Sequence, residues 1–361
     1  MRPSPRPLFP PLLPGWFARL GPALVLATAL AGCAASKPGT YNVSEIGSFH
    51  VGGRQATLTG LPEREIVFSA GTPPLKVNPN GDFEVEQMYV QFIKLAEPKA
   101  RYPLLLVHGG GLSGVTWETK PDGGAGWQQF FLQAGHDVYI SDAVERGRAS
   151  WARYPEVFKT EPLFRTKQEA WELFRIGPPG SYDKDPAKRK TMAGGTQFPH
   201  VAFDQFSKQS VPRWVSNDAA TQAAYDIYVQ KICPCVIITH SQGGNFGFNM
   251  ARHAPDKVKA LISIEPSGAP DPDRTDIKAL KDVPLLFVWG DNLDLYPFWR
   301  TVRGKLDRVQ QVAAAQGGVS DVIDLPRAGF KGNSHMLMMD LNSDQVAQLV
   351  QNWMAKQGLM K

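Results

Sequence analysis

Thr239-His240-Ser241-Gln242-Gly243-Gly244 sets a serine hydroxyl between an apolar run, Val236-Ile237-Ile238, and a helix-like segment, Asn245 to His253. A strand, a tight turn and a helix in that order project such a hydroxyl away from a sheet. The free N–H groups and positive dipole end of the following helix suit a developing oxyanion. Gly243 and Gly244 keep side chains out of a turn where helix and strand pass closely. The chemistry these residues point to is acyl transfer through a serine nucleophile. Thr239 occupies the place, two residues before the serine, where such turns usually carry glycine.

Serine is a weak nucleophile at neutral pH and needs an imidazole to take its proton. Of the seven histidines, His335 in Gly332-Asn-Ser-His-Met follows the last apolar strand and precedes the closing helix. His108 and His240 belong to the two glycine-containing loops, and His50, His136, His200 and His253 fall on early strands, a turn, a long insertion and a helix end. His108-Gly109-Gly110-Gly111 follows the apolar run Leu104–Val107, and glycine lets backbone N–H groups approach a substrate carbonyl. A third group must orient the imidazole. The residues leave three candidates: Glu265 after Leu261–Ile264, and Asp291 and Asp294 after Val283–Trp289.

These residues need a scaffold, and the pattern supplies one. Phe49–Val51 and Ala56–Leu58 read as an opening hairpin, and Met88–Ile93 as the next strand. Buried runs then alternate with helical periods: 104–107, helix 127–135, 138–140, helix 219–231, 236–238, helix 245–253, 257–264, 283–289, helix 298–316, 322–325 and helix 343–357. Such alternation implies a mostly parallel, doubly wound α/β sheet with helices on both faces. Residues 143–217 break the rhythm. They are rich in Trp, Phe, Pro and Arg, and read as a cap over the site. Trp117, Glu118 and Trp127 follow the glycine loop and either shape an acyl pocket or pack the core.

In this order the pieces resemble the α/β-hydrolase fold across nearly all of residues 45–361. That resemblance implies that the N–H groups of Gly110 and Gln242 form the oxyanion hole. More closely, Ser48–Arg54, His108–Glu118, Asp142–Ser150 and Gly332–His335 look like a small group of secreted bacterial carboxylesterases, in which a glutamate after the sixth strand completes the triad. Glu265-Pro266 matches that position. That group can carry cysteines where this chain has Gly110 and Gly111. The resemblance implies a serine esterase acting on small carboxylic esters through Ser241, His335 and Glu265, without metal or organic cofactor. A lactonase or other acyl hydrolase on the same triad, and a lipid-anchored binding protein without turnover, are the alternatives. A serine nucleophile disfavours the aspartate-dependent dehalogenases and epoxide hydrolases and the cysteine-dependent dienelactone hydrolases.

The N-terminus reads as an export signal over residues 1–32, followed by a tether over 33–44. Leu30-Ala31-Gly32-Cys33 resembles a bacterial lipoprotein box, which implies lipidation at Cys33 and attachment to a membrane surface. Ala34, rather than Asp, resembles outer-membrane sorting. The formal charge of +5 includes Arg2, Arg6 and Arg19, so residues beyond 32 carry +2, and no basic run with interleaved aromatics points to nucleic acid. A 43% hydrophobic composition fits a sizeable core. Cys233 and Cys235 flank Pro234, a spacing that suits neither a metal site nor an unstrained disulfide, and they read as two buried small hydrophobes.

Overall fold

The computed structural model describes residues 40–149, 151 and 153–361. The export signal, Cys33 and most of the expected tether lie outside those residues. The strands are β1 (Val43–Leu58), the short β2 (Arg64–Ile66) and β3 (Leu75–Val77), β4 (Gly81–Leu95), β5 (Leu104–Val107), β6 (Val138–Asp142), β7 (Cys235–His240), β8 (Val258–Ile264), β9 (Leu285–Trp289) and β10 (Ser320–Asp324). The helices are α1 (Trp127–Gln133), α2 (Lys167–Leu173), α3 (Phe203–Ser207), α4 (Asp218–Ile232), α5 (Gly243–His253), α6 (Pro297–Ala315) and α7 (Ser343–Lys356). Eight strands form one sheet in the order β1-β4-β6-β5-β7-β8-β9-β10. β1, β4 and β6 pair antiparallel, and the other pairings are parallel.

A strand covered on both faces must be apolar at consecutive positions, not alternate ones. β5 is Leu-Leu-Leu-Val and fully buried. Leu104 and Leu106 point into a core shared with α1 and α7, whereas Leu105 and Val107 point into one shared with α4, α5 and α6. The result is a three-layer sandwich. Trp117 and Trp127 are fully buried and pack ring against ring, 5.8 Å between centroids, so both belong to the core.

Two sequence expectations are corrected. The opening hairpin within residues 49–58 is instead a single strand of 16 residues, β1, whose partner is β4. Gly52 and Gly53 form a kink within it, with φ +71° and +90°, facing Glu86 at φ +65°. A Cβ on Gly52 would stand 2.7 Å from Ala224 Cβ, so the kink is where the strand passes against α4. Cys233 and Cys235 are joined by a disulfide. Cys233 leaves α4 in an extended conformation (φ −75°, ψ 150°), and the Cα atoms come within 4.4 Å, the lower edge of what a disulfide spans.

Between β6 and α4 the described residues add no strand to the main sheet. They carry α2, α3 and short 3-10 turns. Trp171, Phe174, Phe198, Phe203 and Phe206 pack into the α1/α7 core, and Phe158 and Trp214 make a small cluster of their own. Among the described residues no helix is long and apolar enough to cross a membrane.

Candidate active site

Ser241 follows β7 in a left-handed conformation, φ +51°, which costs a non-glycine residue on the order of 1–3 kcal/mol unless its surroundings impose it. They do: the Ser241 N–H donates to Ile264 O (3.1 Å), and Ser241 O accepts from Gly244 N and Ser267 N (both 3.0 Å). Thr239 fits beneath the turn because Gly247 of α5 leaves space. A Cβ there would stand 2.5 Å from Thr239 Cγ2. The helix thus supplies the glycine that this turn lacks on its strand side.

Glu265 ends β8 with the same left-handed backbone, φ +48°, and its N–H donates to Val288 O of β9 (2.9 Å). Its carboxylate is wholly buried and accepts from three donors. His335 Nδ1 lies 3.1 Å from Oε2, Arg175 Nη2 lies 2.7 Å from Oε1, and Gly290 N also donates to Oε1. Asp291 and Asp294 stand elsewhere. Asp291 caps Asn292 N (2.7 Å) and Gly332 N (2.9 Å), and Asp294 is exposed in a 3-10 turn.

His335 is 1% exposed and ringed by aromatics: Trp299 at 4.4 Å, His240 at 4.6 Å and Phe174 at 5.2 Å between centroids. Its backbone N–H donates to Phe174 O (2.8 Å). Burial, followed by the positive charges of Arg175 and Arg165, holds its pKa well below the usual imidazole range. At neutral pH the ring is therefore neutral. Nδ1–H donates to Glu265, and Nε2 is the basic nitrogen. The loop that carries His335 is set by buried Asp340. This residue accepts from Ser334 Oγ (2.6 Å), Ser334 N (2.9 Å) and Asn333 Nδ2 (2.9 Å), and burial pushes its pKa up to about 6.

The glycine loop after β5 lies against the Ser241 turn. A Cβ on Gly109 would stand 2.9 Å from Ser241 Cβ and 2.7 Å from His240 Nδ1. His108 braces the loop: Nδ1 donates to Gly109 O (2.8 Å), and Nε2 accepts from Ala143 N (3.0 Å). Burial lowers its pKa to about 4, so it stays neutral in that double role. His240 Nε2 donates to His335 O (2.9 Å), tying the loops that carry Ser241 and His335 together. Asp142 closes the far end of the glycine loop. It accepts from Gly114 N (2.6 Å) and from Arg148 N and Nε (both 2.8 Å). Gln242 is the first residue of the turn into α5. Among the described residues neither the Gly110 nor the Gln242 N–H meets a protein acceptor.

Sequence reasoning misses Arg175. It is 1% exposed, adopts φ +59°, pairs with Glu265, donates Nε to Asp291 O (2.7 Å) and lies 5.1 Å from the Trp299 ring centroid. It sits in the aperiodic insertion, where position along the chain says nothing about position in space. Among the described residues no group of three His, Cys, Asp or Glu side chains is placed to hold a metal.

Comparison with known proteins identifies the fold. A family model described as alpha/beta hydrolase fold matches residues 232–288, from the end of α4 through β7, Ser241 and Glu265 into β9. A solved structure described as that of a novel bacterial esterase is 32% identical, covers 88% of this chain and 98% of its own, and superposes with a TM-score of 0.73. A probable secreted lipase, phiG, of a fungal species (strain ATCC 74256) is 26% identical over 77% of this chain and 88% of its own length.

Proposed function

The chain belongs to the α/β-hydrolase superfamily and is a hydrolase, and from that premise we propose that it is a serine carboxylesterase with Ser241 as nucleophile, His335 as base and Glu265 as the acid that orients it. One observation carries the reading. Ser241 is held in a left-handed turn between β7 and α5, and the ring of its neighbour His240 lies 4.6 Å between centroids from the buried His335 imidazole, whose Nδ1 is occupied by a carboxylate. The other ring nitrogen is left to take the serine proton.

Ser241 Oγ attacks the ester carbonyl as His335 Nε2 accepts its proton. The carbonyl oxygen becomes an oxyanion facing the Gly110 and Gln242 N–H groups. Each such donor contributes on the order of 3 kcal/mol to the transition state. His335 then protonates the leaving alcohol, and the acyl group remains on Ser241. Water, deprotonated by the same imidazole, releases the acid and restores the serine. Glu265 stabilises the imidazolium in both halves.

Hydrolysis of a short p-nitrophenyl ester series by the purified protein and by Ser241→Ala tests this. Loss of roughly 10⁴-fold or more in kcat is expected. Turnover that survives the substitution, together with no fluorophosphonate labelling of Ser241, sinks the reading.

We also propose export and attachment to a membrane surface through a lipid on Cys33, supported by the sequence around that cysteine and by the printed description of the fungal relative as secreted. Cys33→Ser is expected to move the protein from the membrane fraction to the soluble fraction. Retention in the membrane pellet argues against the anchor.

A further inference from the structure

Besides Arg175 on Glu265 and Arg148 on Asp142, further arginines of the segment between β6 and α4 gather around the glycine loop. Arg213 Nη1 lies 3.0 Å from where a Cβ on Gly110 would stand, a point also 2.9 Å from Gln242 Oε1. Arg165 Nε lies 4.0 Å from the equivalent point on Gly111. The strands of chain that bear them are fastened to the loop. Val211 N donates to Gly111 O (3.0 Å), and Leu163 and Arg213 exchange backbone hydrogen bonds of 2.8 and 2.9 Å. Arg146, 3% exposed, stands behind, with Nη1 donating to Pro212 O (2.9 Å).

Among the described residues Arg213 and Arg146 have no carboxylate within 4.0 Å of the guanidinium, whereas Arg165 pairs with Glu169. Asp218 is the nearest acid acting on Arg213 and Arg146, but its Oδ1 accepts from Gln242 Nε2 (3.2 Å). The Nε atoms of Arg165 and Arg213 are buried with no acceptor. Burial, then the Arg213 charge, lowers the Arg146 pKa to about 9; burial also lowers that of Arg213. Between the arginines is a cavity of about 160 Å³ lined by Gly111, Leu163, Phe164, Arg165, Glu169 and Arg213. Leu163 and Phe164 are 60% and 69% exposed at its edge. A buried guanidinium N–H without an acceptor is costly, and the fork that carries it matches a carboxylate in geometry.

We propose that this cavity is a carboxylate subsite and that the substrate is a monoanionic ester, such as the half-ester of a dicarboxylic acid, whose free carboxylate bonds Arg213 and Arg165 while its ester carbonyl reaches Ser241. The inference rests on the serine-esterase reading and adds the substrate class. The methylene chain lies along Leu163 and Phe164, and the substrate carboxylate competes with Glu169 for Arg165. Glu169 is half exposed and can yield to water.

The test compares monoethyl glutarate with the ethyl ester of glutaramic acid, its neutral amide counterpart, with p-nitrophenyl acetate as a neutral reference. For the wild-type protein kcat/KM is expected to favour the anion by about tenfold or more, the factor a charge-assisted hydrogen bond supplies, and the preference is expected to shrink as salt rises. Arg213→Gln should bring the ratio near one, and Arg213→Lys should retain part of it. A wild-type ratio at or below one while the acetate is hydrolysed overturns this inference alone. So does a ratio unchanged in Arg213→Gln. No turnover of any of the three esters and no fluorophosphonate labelling of Ser241 overturn the esterase reading as well. If Arg213→Gln does not fold, the wild-type ratio and its salt dependence decide.

Discussion

The carboxyl ends of β7, β8 and β9 and the segment between β6 and α4 meet at His335, and they act on it by different means. The strand ends fix position. Ser241 and Glu265 are tied to neighbouring strands through backbone bonds to Ile264 and Val288, and Asp291 N donates to Asn333 O in the loop that carries His335. That ladder exists before any side chain is considered. The segment between β6 and α4 supplies a carbonyl and charge. Phe174 O holds the His335 backbone, Arg175 neutralises Glu265, and Arg165 faces the imidazole from further out. The contrast teaches that the sheet determines where the reacting atoms stand, and the insertion determines the electrostatic environment in which they react.

The largest effect that sharpens the contrast is expected at Glu265. Glu265→Gln leaves Arg175 buried opposite a neutral amide and leaves the imidazolium without its carboxylate. Removing one member of a buried ion pair costs about 3–5 kcal/mol of stability. The proposed role adds a fall in kcat of roughly 10³ to 10⁴-fold. Asp294→Asn, in an exposed turn, should change neither. Urea midpoints and kcat for the two variants test this directly. A larger kcat loss in Asp294→Asn would transfer the acid to the loop after β9.

How far each region is legible in the sequence follows from the same difference. Strand ends are legible because continuous apolar runs and amphipathic helices force the alternation. The helix expected over 219–231 is Asp218–Ile232, and the closing helix expected over 343–357 is Ser343–Lys356. The turn at Ser241 is legible because its glycines are local. The choice among Glu265, Asp291 and Asp294 is not, since 70 residues separate Glu265 from His335 and only the fold brings Oε2 to 3.1 Å from Nδ1. The insertion is legible only as an interruption. Arg175 has no periodicity, spacing or motif, and its left-handed backbone is invisible in an arginine. The disulfide at Cys233 and Cys235 and the unbroken strand through residues 49–58 escape the sequence for a related reason: both depend on backbone conformation that residue type leaves open.

Within the insertion, arginines are expected to divide by what they face. Arg175→Met removes the counterion of a wholly buried carboxylate, so stability should fall by about 3–5 kcal/mol. Turnover should also drop about tenfold or more, since Glu265 loses the guanidinium that fixes its carboxylate against His335, and 1.4 kcal/mol lost in orienting the imidazole is one factor of ten. Arg189 is almost as buried but packs over Trp171, Tyr182 and Phe203 and pairs with Asp204 at 2.9 Å, away from His335. Arg189→Met should cost about 1–2 kcal/mol and leave kcat within about twofold. Equal kcat losses in both variants would mean that the insertion acts on the site only through its overall stability, which breaks the distinction between position and charge.

The smallest effect tests the charge in isolation. His335 is buried and faces Arg175 and Arg165, both of which disfavour its protonated form. The acidic limb of kcat/KM therefore lies below pH 6.5, because the base stays neutral until well under the pKa of a free imidazole. Arg165→Gln takes away one cation, makes the imidazolium less costly and raises the pKa, so the acidic limb should move toward higher pH. Arg165 is partly exposed and already paired with Glu169, so solvent and that carboxylate screen most of its charge. The displacement should be a few tenths of a pH unit, on the order of 0.5 kcal/mol. Added salt should shrink it further in the wild-type protein, since the Debye length is about 8 Å at physiological ionic strength. A limb that stays fixed in Arg165→Gln would mean that burial alone depresses His335, and that the insertion's outer arginines serve the substrate and not the base.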